Sequence, residues 1–387
     1  MKEGIVMEKQ EKVQILKDIV AIKSVNGNEK EVAEYLSNVF KKHGIDSSFL
    51  EYDKGRDSLI VEIGTKSSEK VLAFSGHMDV VAAGNEADWT SDPFKPEIRD
   101  GKMYGRGTCD MKSGLAAMVI AMIELKEQAA DLNGRIRLLA TVGEEIGELG
   151  SEQLTKEGYV DDVTAMVIGE PSGYAGIVYA HKGSINFKVN SIGKNAHSSM
   201  PELGVNAIDH LNDFYTRANQ LFRSETHTDE VLGDFIYNVT MISGGEQINS
   251  IPSEASLQGN IRTIPGYDND LVIKKMNELI DELNQKESYK LTLSIEANKI
   301  SVKSDKHSDI AKIAQQVAKK QVNKEIPMVG NSGTTDAAEF TKGKQEFPVI
   351  IFGPGNTTPH QVDEYIDMDN YLEMIDIYKE MATIYLA

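Results

Sequence analysis

A lone cysteine, Cys109, excludes an intramolecular disulfide framework. A reducing cytoplasmic setting is therefore the expectation. No apolar run approaches the roughly 20 residues that span a bilayer, so no membrane partner is expected. Met1 to Glu11 is charged and lacks the apolar centre of a secretory signal. Met7 is a second candidate start, with Met1–Val6 an extension. Basic residues are few: 41 Lys and Arg against 60 Asp and Glu give a net charge of −19. That balance argues against nucleic acid or an anionic membrane as partner. It also means that an anionic substrate needs a local cation, either a metal or an arginine. Internal repeats and low-complexity stretches are absent. What remains is globular composition, 40% hydrophobic and 26% charged over 387 residues, a length that calls for two domains.

Residues 10–44 carry helical periodicity, with Val13, Leu16 and Val20 on one apolar face and Val32, Ala33, Leu36 and Phe40 on another. Strands are predicted over 48–51, 58–63, 71–75, 135–142 and 165–169. Residues 89–107 hold Pro93, Pro96, Gly101 and Gly105 and read as a long surface excursion. A helix follows through Leu115, Val119 and Ile123. From about Tyr179 to Ser294 the strands lengthen and alternate, over 184–190, 235–242 and 255–264, with helices at 205–222 and 268–284. This predicts an inserted α+β sandwich with one exposed sheet face. The first pattern resumes near Ile300: a helix at 308–321, a strand at 349–352 and a helix at 369–386. The expected architecture is an α/β catalytic domain, 1–178 plus 296–387, with a mixed, mostly parallel sheet flanked by helices. The inserted domain covers 179–295.

Ser75-Gly-His-Met-Asp79 delivers a histidine and an aspartate two residues apart at a strand end, where i and i+2 share a face. Such an aspartate can fix the tautomer of a metal-binding imidazole. Asp110, in Gly105-Arg-Gly-Thr-Cys-Asp-Met-Lys-Ser-Gly114, stands at a loop-to-helix junction. Glu144 and Glu145 follow one strand and Glu170 ends another, and the carboxyl ends of strands are where sites collect in open α/β sheets. With His77 and His360 these form a nitrogen and oxygen donor set suited to zinc and tolerant of cobalt or manganese. Two ions sharing one carboxylate would use five ligands and leave one carboxylate as a base. Cys109 has no implied base and reads as structural, as do His43, His181, His210, His227 and His307. Lys112 reads as a surface residue or one behind the ligands.

Taken together, Ser-Gly-His77-Met-Asp79, the Asp110 segment, Glu144-Glu145, Gly-Glu170-Pro-Ser and Pro-His360-Gln resemble the di-zinc aminoacylase/carboxypeptidase family of metallopeptidases over nearly the whole chain. Its desuccinylase and deacetylase branch is nearest in pattern. The resemblance implies that Asp110 bridges two Zn2+ ions. His77 and Glu170 would complete one site, Glu145 and His360 the other. Glu144 would be the general base on a metal-bridging water, Asp79 would orient His77, and the peptide after Asp110 would be cis. It further implies that the inserted domain is a ferredoxin-like lid that forms a homodimer. There His197 would stabilise the oxyanion across the interface, Arg262 would hold a substrate carboxylate and Asn249 would contact substrate. Gly333 and Thr334 lie in a turn whose N–H groups could receive the same anion. The implied reaction is amide hydrolysis of a small anionic N-acyl amino acid, of N-succinyl-diaminopimelate or N-acetylornithine type. A dipeptidase or carboxypeptidase of the same fold, and a non-catalytic binding protein, are the alternatives.

Overall fold

The computed structural model describes residues 7–66, 68–128 and 130–387; the proposed extension Met1–Val6 lies outside them. The chain divides into two compact units. The first comprises residues up to Tyr179, Ser304–Val329 and Thr335–Ala387; the second comprises Ala180–Lys303 and Gly330–Thr334. The return to the first unit thus lies at 303 rather than 295, because the last long strand of the second unit, Leu291–Lys299, runs past the expected boundary. Residues 330–334 join the second unit through contacts that no local pattern announces.

The first unit is built on one sheet in the order Ser47–Asp53, Arg56–Gly64, Arg135–Thr141, Val71–His77, Ala165–Pro171 and Val349–Gly353. The last four strands are mutually parallel, and the pairings before them are antiparallel. Next to them Ile177–His181 adds an antiparallel strand, pairing Val178 with Ile351. The sheet is mixed, with its centre parallel and its flanks antiparallel. Buried on both sides, the Val71–His77 strand has no exposed residue, as the middle of a covered parallel sheet requires.

Helix Lys112–Glu127 packs against four of these strands and against helices Lys9–Ala21, Lys30–Lys42 and Met368–Tyr385. Its apolar residues run all around, which fits a helix enclosed on every side. Gly114 has a specific reason to lack a side chain: a Cβ there would sit 2.0 Å from the carbonyl oxygen of Gly169. The start of the helix is thereby pressed onto the backbone that precedes Glu170. Residues 89–107 are less superficial than their composition predicts. Trp89 and Phe94 are buried, and Glu97–Arg99 and Lys102–Tyr104 form a small sheet with Tyr365–Asp367. The aromatic payload pulls the excursion inward.

The second unit has a four-stranded antiparallel sheet ordered Ile236–Gly244, Glu254–Arg262, Ser184–Ile192 and Leu291–Lys299. With helices Ala207–Arg223 and Asn269–Asn284 this is the β-α-β-β-α-β arrangement of a ferredoxin-like fold. Buried and open residues alternate along Glu254–Arg262, since helix packing covers one face only. Among the described residues, no helix is long and apolar enough to cross a membrane.

Candidate metal centre

His77 is the last residue of its strand, Glu170 is next to last in the neighbouring one, and Glu144 and Glu145 follow the third. His360 stands in the loop after the fourth, at φ +63°, and Asp110 precedes helix Lys112–Glu127 through a cis peptide to Met111. Parallel pairing aligns the carboxyl ends of these strands, so residues from five parts of the sequence meet.

Asp110 stands between the two histidines. Its Oδ1 lies 3.1 Å from His77 Nε2 and its Oδ2 3.4 Å from His360 Nε2. Glu170 Oε1 is 3.5 Å from His77 Nε2, and Glu145 Oε1 is 3.0 Å from His360 Nε2. Donor atoms of His77, Glu144 and Glu170 also fall within 4.8 Å of one another. Five expected ligands and the expected base therefore converge within the first unit.

The tautomer of His77 is set by its surroundings. Nδ1 faces the main-chain carbonyl of Asp79 at 2.9 Å, which can only accept, so Nδ1 carries the hydrogen. Nε2 then turns a lone pair toward Asp110 and Glu170. A lone pair facing carboxylates is tolerable only with a proton or a cation between them. In the ion-free protein the proton serves. Burial alone works to lower the His77 pKa, but Glu170, Asp110 and Asp79 together raise it well above its usual value. Hydrogen bonds to Asp110 and Glu145 raise His360 to about 10. Burial drives Glu144 and Glu170 well above the ordinary carboxylate range, and nearby carboxylates add to it. Asp110 is also enclosed, yet the bonds from both histidines hold it below that range. Imidazole and carboxylate donors held together at this cost fit a pair of divalent cations.

Asp79 acts differently from the expectation. Its carboxylate lies 3.6 Å from His77 Nδ1, and it is the main-chain carbonyl that orients the ring. The carboxylate instead accepts the backbone N–H groups of Glu144 and Glu145. The physical reason is that the strand ends at His77, so the shared-face rule no longer governs Asp79. Lys112 is not at the surface: it is fully buried and donates to the carbonyls of Ile19 and Ile22 at 2.7 and 2.9 Å. Burial lowers its pKa to about 7. Cys109 is buried, accepts the Asn356 N–H at 3.4 Å, and its thiol pKa is pushed far up by that burial.

Sequence reasoning missed the carboxylates behind the site. Glu29 accepts the Gly143 N–H at 3.1 Å and pairs with Arg56 at 2.6 Å. Asp336 accepts the hydroxyls of Thr141 and Ser151, each at 2.6 Å. Glu364 is buried against the Asp110 loop. The one available signal was an acidic residue inside an otherwise apolar or motif-bearing stretch.

His197, Asn249, Arg262, Gly333 and Thr334 belong to the second unit. His197 is exposed; its Nδ1 lies 3.2 Å from the Ser199 N–H, which donates to it, so Nε2 carries the hydrogen and points a donor outward. Asn249 is its neighbour through a bond from Ser198 N–H to the Asn249 carbonyl. Arg262 is half-buried at a strand end, and burial lowers its pKa, with no carboxylate among the described residues acting on it. Lys182 lies near enough to oppose the Arg262 charge, a second cation absent from the expectations. The Gly333 N–H is turned onto Asn331 Oδ1 at 3.2 Å, so in this geometry it does not face an incoming anion. The reason is a side-chain acceptor two residues back, a frequent partner in turns.

A parallel-centred sheet presenting clustered histidines and carboxylates defines a metal-dependent hydrolase. Residues 73–383 match peptidase family M20/M25/M40, and the chain belongs to that family. It is 43% identical to the "Probable succinyl-diaminopimelate desuccinylase" of Staphylococcus aureus strain MRSA252, covering 97% of this chain and 98% of that protein. It is 31% identical to the succinyl-diaminopimelate desuccinylase of Wolbachia pipientis wMel, covering 96% and 93%. Among solved structures, an M20 family metallo-carboxypeptidase from Sulfolobus solfataricus superposes with TM-score 0.81 at 20% identity, covering 98% of this chain and 99% of that one. An aminopeptidase from Bacillus cereus superposes with TM-score 0.80 at 21% identity, covering 99% and 100%. These two likenesses establish the shared fold.

Proposed function

We propose that this protein hydrolyses the amide bond of a small N-acyl amino acid bearing carboxylates, of the N-succinyl-diaminopimelate type. The observation that carries the chemistry is the convergence of His77, Asp110, Glu145, Glu170 and His360 around Glu144. Full-length identity of 43% to a desuccinylase supports the substrate class. Two ions, zinc by the donor set with cobalt or manganese as substitutes, would be held by His77 and Glu170 on one side and Glu145 and His360 on the other, with Asp110 shared. When bound, they would acidify a water and draw charge toward the scissile carbonyl oxygen.

The residues do the rest. Glu144, with its pKa raised by burial and by Glu170, takes a proton from the attacking water and returns it to the departing nitrogen. Asp79 holds the backbone of that base in place. Arg262, with no carboxylate among the described residues acting on it, receives a substrate carboxylate through two parallel N–H bonds. His197 offers its Nε2 hydrogen to the developing oxyanion.

Such a division predicts a homodimer formed by the second unit. Met241 and Ile242 lie exposed on its edge strand, Ile236–Gly244. Light-scattering mass tests this, and a monomer at working concentration removes it. For the reaction, the test is amine release from N-succinyl-diaminopimelate, N-acetylornithine and a dipeptide panel with metal-reconstituted protein. The succinyl substrate should have the highest kcat/KM. Faster cleavage of dipeptides would reassign the protein as a peptidase, and no cleavage of any substrate would favour a binding role.

A further inference from the structure

Glu364 lies four residues after His360 and is fully buried. Its Oε1 accepts the main-chain N–H groups of Cys109 at 2.7 Å and Asp110 at 2.9 Å. Its Oε2 accepts the Gly107 N–H at 3.0 Å and Arg106 Nη1 at 2.6 Å. Its main-chain carbonyl takes the Gly105 N–H at 3.0 Å. Arg106 is buried over the Trp89 ring and reaches the His360 carbonyl at 3.4 Å. A buried carboxylate is costly unless its lone pairs are filled. Here every bond it accepts comes from the loop that carries Asp110, while the chain that bears Glu364 also bears His360.

The other candidate ligands are held by different means. His77 and Glu170 belong to strands fixed by parallel pairing. Glu145 rests on the turn gripped by Asp79. Asp110 and His360 are borne on loops, and Glu364 with Arg106 ties those two loops together at Asp110 itself, beside the more distant Asn356 N–H bond to Cys109 Sγ and the pairing of Lys102–Tyr104 with Tyr365–Asp367. Two of the three ligands on the Glu145–His360 side therefore depend on this pair, against one of three on the His77–Glu170 side.

We propose that Glu364, acting with Arg106, is a positioning residue that sets the spacing of Asp110 and His360, and so governs affinity for the ion on the Glu145–His360 side more than for its neighbour. The inference rests on the two-ion reading above. A carboxylate that merely stabilised the fold would not distinguish the two ions.

The test is a Co2+ titration of metal-free full-length protein, followed by calorimetry and by the visible cobalt spectrum. His360→Ala identifies the binding step that belongs to the Glu145–His360 side. In Glu364→Gln one acceptor becomes a donor facing N–H groups. That step should weaken about 10–100-fold while the other moves by less than about threefold, the range found for residues that orient ligands. Arg106→Lys should act in the same direction with smaller size, and carries the test alone if Glu364→Gln does not fold. Equal shifts in both steps, or none in a variant with a native circular-dichroism spectrum, overturn the proposal. Uptake of no ion by the wild type would instead overturn the two-ion reading, and this inference with it.

Discussion

Asp79 holds Glu144 by its backbone: Oδ1 of the aspartate receives the Glu144 N–H at 3.2 Å, while Oδ2 receives that of Glu145 at 3.2 Å. One buried carboxylate thereby fixes the main chain beneath both the proposed base and a proposed ligand. It is itself raised to about 6 by burial. The His77 ring is held separately, by the Asp79 carbonyl, which survives any change of the side chain.

Asp79→Asn should accordingly lower kcat more than ion affinity. One of its two acceptors becomes a donor that opposes an N–H, and the base shifts. A misplacement of this size costs about 10²-fold in rate. Ion binding at His77 should change far less. Stoichiometry by elemental analysis, set beside kcat, checks this; a proportionate loss of both would return Asp79 to the role of orienting the ligand.

Glu144→Gln should keep the metal content and lose turnover by about 10²–10⁴-fold, the usual worth of a general base. The proximity of Glu144 to His77 and Glu170 gives this experiment its edge. If Glu144 were a ligand, ion content would fall together with rate.

Much of the site was legible because its chemistry sits at the ends of apolar runs, where strand termini are easily placed. His77, Glu145 and Glu170 are each found by following a hydrophobic segment to its end or just past it. The inserted ferredoxin-like unit was legible through alternation along stretches such as Glu254–Arg262. The supporting carboxylates were not, because their partners are remote in sequence: Glu364 reaches back to Asp110, and Glu29 forward to Gly143. Lys112 misled for the opposite reason. A lysine at the start of a helix ordinarily faces water, and only tertiary packing brings it to the free carbonyls that end helix Lys9–Ala21. The segment 330–334 changes units through contacts that no periodicity encodes.

Arg262→Lys should raise KM for a carboxylate-bearing substrate about 10–100-fold, since a hydrogen bond to a charged group is worth about 1.5–3 kcal/mol. Lysine keeps the charge but not the paired geometry. A substrate whose distal carboxylate is replaced by an amide should lose the difference between wild type and variant. Steady-state kinetics with the two substrates measures it, and an equal effect on both would place Arg262 outside the binding site.

Ion uptake should release protons, and affinity should climb with pH. In the ion-free protein the His360 pKa stands at about 10, raised by its bonds to Asp110 and Glu145, and His77 is raised as well. The His360 ring is therefore charged at pH 7, His77 is shifted in the same direction, and each ring must be neutral at the nitrogen that binds an ion. The sign for stability follows. A histidine raised from its ordinary value of about 6.5 contributes stability that is complete below that pH and lost as pH rises through about 10. The ion-free protein thus loses this contribution on the alkaline side, where the ion-bound form gains most. At pH 7, calorimetry in buffers of different ionisation enthalpy should report net proton release, with the His360 ring as one source. The rise in melting temperature on saturation with zinc should be larger at about pH 8 than at about pH 6. A binding enthalpy indifferent to the buffer would mean that neither imidazole carries a proton before the ion arrives, and the electrostatic account of the site would fall.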